Sequence, residues 1–171
     1  MAEAISRSIQ LGDALLREIE RFLFEDAELL DQWKLHEWVE NMALDGHYLI
    51  PATDKPDGDP TRDLFLVQDD RFLLEQRIDS LLTRSAHAEY PHSRTRRLIT
   101  NVRVVARGDN RYDVAANFAV YRIRSGAIDT YVGHYRHVLE RDESGALKFW
   151  VRKAVLDLDA LRPHGKVSII L

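Results

Sequence analysis

The stretch Asp69–Val105, DDRFLLEQRIDSLLTRSAHAEYPHSRTRRLITNVRVV, changes hydrophobic period in its middle. In the first half, Phe72, Gln76 and Asp79, with Leu73, Leu74, Arg77, Ile78 and Leu81, fall at helical spacing. After Pro91 and Ser93, Leu98, Thr100, Val102 and Val104 alternate with Ile99, Asn101, Arg103 and Val105 at strand spacing. The stretch is therefore predicted to run helix, polar turn, long strand. Asp69 or Asp70 is the expected N-cap of the helix. Arg77, Arg84, Arg94, Arg96, Arg97 and Arg103 fall where a loop would meet another surface.

Downstream the chain stays strand-like. Arg96–Arg107 is followed by the turn Gly108, Asp109, Asn110 and then by Tyr112–Arg124. Ser125 and Gly126 turn into Ala127–Asp142, and Ser144 and Gly145 turn into Leu147–Leu156. That is a meander of four long strands. Upstream, Leu11, Leu15, Ile19, Phe22 and Leu23 form one apolar stripe, predicting a helix from about Ser8 to Leu30. A short second helix, Lys34 to Met42, places Leu35, Trp38, Val39 and Met42 at core spacing, with Trp33 and Trp38 anchoring that corner. Gly46 opens an extended segment around Tyr48, and Lys55–Arg62 is a loop with two prolines and a glycine. Leu64–Val67 is a brief strand or a lead into the next helix. Strands this long twist and curl. The predicted class is α+β: one domain over residues 1–171, with a curved antiparallel sheet of five or six strands covered by N-terminal helices.

Composition narrows the function. The chain has 171 residues, 45% hydrophobic and 30% charged, with a net charge of −4. An acidic total argues against a general nucleic-acid binder. No apolar run approaches the roughly 20 residues of a membrane span. MAEAISRSIQLGDALLREIE has early acids and no apolar h-region, so no signal peptide is expected and the location expected is cytoplasmic. Cysteine is absent. That excludes disulfides, thiolate nucleophiles and a Rieske cluster on this chain, since such a cluster needs two cysteines and two histidines.

DDRFLLEQRI (Asp69–Ile78) and SRTRRLITNVRV (Ser93–Val104), with FLFEDAELLDQWKLHEWVE (Phe22–Glu40) upstream and KAVLDLDALRPHGKVSIIL (Lys153–Leu171) downstream, resemble the beta (small) subunit of aromatic-ring-hydroxylating dioxygenases, the Rieske non-haem iron oxygenases. HAEYPHSRTRRLI (His87–Ile99) bears a fainter resemblance to the subunits of cumate-type dioxygenases. The resemblance implies the cone-like fold of nuclear transport factor 2 and ketosteroid isomerase. It also implies a non-catalytic structural role beside a large (alpha) oxygenase subunit. That large subunit would carry the Rieske [2Fe–2S] cluster, the mononuclear Fe(II) and the aromatic-substrate pocket. An α3β3 assembly built on a trimer of this chain, served by a reductase and ferredoxin, follows from the same resemblance. The alternative is a stand-alone cone-fold isomerase, dehydratase or hydroxylase acting on a small apolar ligand.

No catalytic, cofactor-binding or metal-binding residue is expected on this chain. His87 and His92 flank Glu89 in the two-histidine, one-carboxylate style of mononuclear iron. Their loop offers no rigid support, so surface or interface roles are expected instead. His134 and His137 lie three apart on a strand and face opposite sides. Tyr48, Asn117, Tyr121, Asp129, Tyr131 and His134 are possible cavity groups, but their spacing fits no acid–base motif. A cone plugged by Trp38, Phe118, Phe149 and Trp150 is the expectation. The expected interface residues are Arg94, Arg96, Arg97 and Arg103, whose planar guanidinium suits carboxylates across an interface, together with the apolar Ile169, Ile170 and Leu171, which are expected to tuck against the chain's own sheet or a neighbouring subunit.

Overall fold

The computed structural model describes residues 2–83, 89–158 and 167–171, with side chains from Asp13 onward. Helix α1 spans Ala2–Asp31. It buries Leu15, Ile19, Leu23 and Leu30 on one stripe against the sheet, and Phe22 packs on Phe149 at 4.9 Å. Helix α2 is a single turn, Leu35–Trp38, continued by a 3-10 turn over Val39–Asn41. The expected helix to Met42 is thus cut short, because Met42 already pairs with Phe149 of the sheet. Strand pairing overrides the helical spacing there.

Six strands form one sheet: β1 (Met42–Pro51), β2 (Phe65–Asp70), β3 (Arg94–Arg107), β4 (Arg111–Arg124), β5 (Ala127–Arg141) and β6 (Leu147–Leu156). Their order is β2-β1-β6-β5-β4-β3. Strands β3 to β6 are the meander read from the sequence. The sheet is not wholly antiparallel, since β1 runs parallel to β6. Gly46 permits that approach: a Cβ there would lie 2.7 Å from the Phe149 carbonyl oxygen. Helix α3 spans Arg71–Leu82, and of the two expected N-cap residues it uses the second. Asp70 is its N-cap and accepts the Leu73 N–H at 2.8 Å. Asp69 instead lies within β2, opposite Tyr48, and holds Arg77 through two hydrogen bonds.

The turns follow their residues. Ser125 and Gly126 both have positive φ, the geometry of a tight β-hairpin. Asp142 accepts the Ser144 and Ala146 N–H groups and shapes the β5–β6 turn. Two bulges decide which side chains enter the core. In β3, Thr100 pairs with Asn117 but Arg103 pairs with Ala115, with Asn101 at φ 54°. In β6, Phe149 pairs with Leu139 but Val151 pairs with Val138, so Trp150 is the extra residue. The first bulge turns Val102 and Val104 to the same side as Ile99, whereas simple alternation grouped them with Leu98. The second leaves Trp150 outside, next to the inward Phe149, and turns Arg152 inward.

Candidate functional site

Alternation along β3 separates two sets of arginines. Thr95, Arg97 and Ile99 face the helices, while Arg94, Arg96, Leu98 and Thr100 face out. Arg97 is buried and lies 2.5 Å from Asp31 at the end of α1. The same carboxylate accepts the Arg97 N–H at 3.0 Å and the Thr95 hydroxyl at 2.9 Å. Arg97 also donates to the Ile170 carbonyl.

Deeper in the cone, Arg152 is 1% exposed and reaches Asp26 of α1 at 2.6 Å. Trp38 Nε1 donates to the other Asp26 oxygen at 2.6 Å. Burial works against the Arg152 charge, but the adjacent Asp26 carboxylate together with the Tyr135 and Tyr48 phenols holds the guanidinium pKa up. Arg152 lies 5.4 Å from the Trp38 and Tyr135 ring centres and 4.9 Å from that of Phe149, and its Nε donates to the Leu171 main-chain oxygen at 3.1 Å. Tyr48 OH accepts the Leu171 N–H at 2.9 Å. Burial pushes the Tyr48 phenol up to about 12. His137 is stacked on Tyr135 at 4.6 Å, and burial first, then Arg152, press its pKa well below the usual range. No sequence motif pointed to this cluster. The one signal was Asp26, a charge in register with the α1 apolar stripe.

On the outer face, pairing sets residues in rows across three strands. Arg94, Ile123 and Ile128 form one row, and Arg96, Tyr121 and Thr130 the next. Leu98, Ala119 and Val132 form a third. Ile128, Leu98 and Val132 are exposed. Among the described residues, Arg94, Arg96 and Arg103 have no carboxylate partner. An apolar strip edged by unpaired arginines is the composition of a protein–protein interface.

The expected interface residues therefore divide. Arg94, Arg96 and Arg103 lie on the open outer face of β3, with Tyr90 and His92 exposed just before it. Arg97, Ile169, Ile170 and Leu171 are taken up inside the chain itself. Their role here is an internal one, because the groups they need, Asp31, Arg152 and Tyr48, belong to the same chain.

The other expected groups do not converge. Tyr48 and Tyr131 point inward, Asn117 and Tyr121 are exposed, and Asp129 pairs with Arg122 at 2.7 Å. His134 faces out beside Asp157 at 3.3 Å, on the opposite side from His137. His92 stacks on Trp33 at 4.1 Å. Glu89 is buried among Ser93, Ser168 and Arg122, and His87 lies outside the described residues. Among the described residues no three His, Asp or Glu side chains could hold a metal ion. Trp38, Phe118 and Phe149 fill the cone. Phe118 lies across Gly133, where a Cβ would come within 2.9 Å of its ring. Trp150 does not fill it: it follows the inward Phe149 on the strand, so its indole lies outside, under Arg111 at 3.6 Å and bonded to Asp45.

A curled six-stranded sheet closed by helices and filled by its own side chains defines the cone-shaped α+β class shared with nuclear transport factor 2 and ketosteroid isomerase. Residues 25–163 match the family model "Ring hydroxylating beta subunit", and the chain belongs to that family. It is 44% identical over 155 residues to the small oxygenase component of the p-cumate 2,3-dioxygenase system of Pseudomonas putida, covering 90% of this chain and 86% of that one. It is thus a small subunit of a ring-hydroxylating dioxygenase. Among solved structures, a naphthalene 1,2-dioxygenase with bound indole superimposes with a TM-score of 0.79 at 21% identity, covering 93% of this chain and 86% of that one. The beta subunit of benzoate 1,2-dioxygenase from Burkholderia mallei gives 0.69 at 24% identity, covering 81% and 87%.

Proposed function

We propose that this chain is the structural subunit of an α3β3 oxygenase. A trimer of it supports large subunits that carry a Rieske [2Fe–2S] cluster and mononuclear Fe(II) and that hydroxylate the aromatic ring. A ferredoxin and reductase feed electrons to that complex, in the cytoplasm. The 44% identity to a p-cumate dioxygenase component makes an alkyl-substituted aromatic acid the first substrate to try.

The observation that carries the structural role is the outer face of β3–β5. Arg94, Arg96 and Arg103, without a carboxylate partner among the described residues and beside exposed Leu98, Val132 and Ile128, are poorly used against water. Across an interface each guanidinium can hold a carboxylate through two parallel hydrogen bonds. The test is co-expression with the large oxygenase subunit of a p-cumate-type dioxygenase, followed by native mass measurement and p-cumate turnover. The expected species contains three of each chain and turns over only as the complex. Full assembly and activity of the large subunit alone would refute the structural role. So would turnover by this chain without it.

A further inference from the structure

Two apolar surfaces of this chain are left open, and they stand at opposite ends of the sheet. One is the strip of Leu98, Val132 and Ile128 edged by Arg94, Arg96 and Arg103, toward the β4–β5 turn. The other surrounds Leu44, which is 88% exposed near the start of β1 and beside the β5–β6 turn. Exposed Phe72 belongs to this second end, because Arg71 donates to the Met42 carbonyl and pairs with Glu40. Their charges are opposite. The rows from Arg94 to Arg103 hold no carboxylate. Around Leu44 the cations are already engaged: Arg71 by Glu40 and Glu75, Arg141 by Glu18, and Lys148 by Asp142. Glu143 has no partner among the described residues, and Asp45 bonds only the Trp150 indole there. A two-fold contact sets a patch on itself, which would bring two sets of arginines together with no carboxylate between them. The strip therefore calls for a different surface, apolar at its centre and acidic at its rim, and the Leu44 end has that composition.

We propose that a second copy of this chain covers the β3–β5 strip, seating its Leu44 between Leu98 and Val132 and bringing its Glu143 and Asp45 to Arg96 and Arg103. Ala119 lies between Leu98 and Val132 in the same row and leaves room for a side chain there. Each carboxylate then gains the guanidinium it lacks within its own chain. Joining two different patches is a head-to-tail contact, which repeats around a closed ring. This contact presupposes the trimer proposed above and is the joint that builds it. Large subunits resting on that ring lose hold when the joint loosens.

The chain contains no cysteine, so introduced thiols report positions cleanly. Leu44→Cys and Val132→Cys are made singly and together in the full-length chain, at two sites whose side chains are exposed. Each variant is assembled with the large subunit, sized by native mass and treated with a short bis-maleimide linker. The double variant should give linked species of two and three copies of this chain, with 44–132 links in the digest. Neither single variant should link to itself. Three copies assembled without a 44–132 link would overturn the contact and leave the structural-subunit reading standing, with the strip covered by something else. Links from 132 to 132 would overturn it by placing the strip on its like. Linked ladders running past three copies would overturn the closed ring. Absence of any three-copy assembly would overturn the trimer and the contact together. Leu44→Glu reads the same joint without a linker: on dilution of the complex, the dissociation constant of the trimer should rise at least about tenfold. An unchanged constant would overturn the seat assigned to Leu44.

Discussion

Arg96 and Arg97 are chain neighbours with opposite surroundings. Arg97 is sealed against Asp31 and the Ile170 carbonyl, while Arg96 stands in the open beside Tyr121 with no carboxylate partner among the described residues. The same contrast separates Arg152 from Arg94 and Arg103. Guanidinium chemistry is identical on both sides of the sheet. What differs is whether water can replace the partner. Inside, removing one member of a pair strands a buried charge; outside, water takes over. Arginines of the inner face therefore belong to folding, and those of the outer face are available for assembly.

Arg152→Met should break the inner face most. It leaves the Asp26 carboxylate buried with only Trp38 and Asn41 as donors. Losing one partner of a buried pair costs about 3–5 kcal/mol, read as a shift in the urea midpoint. Adding Asp26→Leu should recover part of this loss. An equal loss in the single and double variants would assign the effect to packing instead of charge.

Arg97→Met comes next, at about 3 kcal/mol, because Asp31 keeps hydrogen bonds from Thr95 and from the residue 97 N–H. Faster amide exchange at Leu171 should accompany it. Arg97→Met as stable as wild type would place Arg97 with the outer set.

His137 offers a titratable version of the same comparison. Its pKa is lowered in the folded chain, so below its ordinary 6.5 the unfolded chain binds a proton that the folded one does not. Stability should therefore fall as pH drops below 6.5, by at most about 1.4 kcal/mol per pH unit from this residue. Above 6.5 the imidazole is neutral in both states and contributes no slope. Urea titrations of wild type and His137→Phe across pH 5 to 8 (roughly the range that histidine titration spans) should diverge only at the acid end. Parallel curves would show that His137 takes up its proton while folded.

The smallest effect on folding belongs to the outer face. Arg96→Ala should change stability by less than about 0.5 kcal/mol and leave the circular dichroism unaltered. Its association with the large subunit should nevertheless weaken and become more salt-sensitive. Unchanged association would return Arg96 to the solvated surface. A large loss of stability would erase the distinction between the two faces.

Much of the architecture was legible along the chain. The switch of period between Asp69 and Val105 shows α3 and β3, and the Gly-containing turns mark the β4–β5 and β5–β6 hairpins. These are local effects, settled within a few residues by periodicity and turn chemistry. The facing of particular side chains was less legible. Arg152 reads as surface if β6 alternates strictly from Phe149, and the bulge at Trp150 turns it inward. Asn101 does the same to Val102 and Val104. A bulge is set by the register with a partner strand, which no run of residues in the bulged strand records by itself.

By itself the sequence determined the α+β class, the helix and strand order, and, through the absence of cysteine, that no Rieske cluster is built on this chain. Those follow from local periodicity and from which chemical groups exist at all. Only the tertiary structure decided which arginines are buried, because burial depends on what packs behind a strand. Asp31 comes from a residue 66 positions away from Arg97, and Asp26 from one 126 positions away from Arg152. It also decided that segment 167–171 enters the cone, because the groups that receive it, Tyr48, Arg97 and Arg152, sit on three different strands and come together only when the sheet curls.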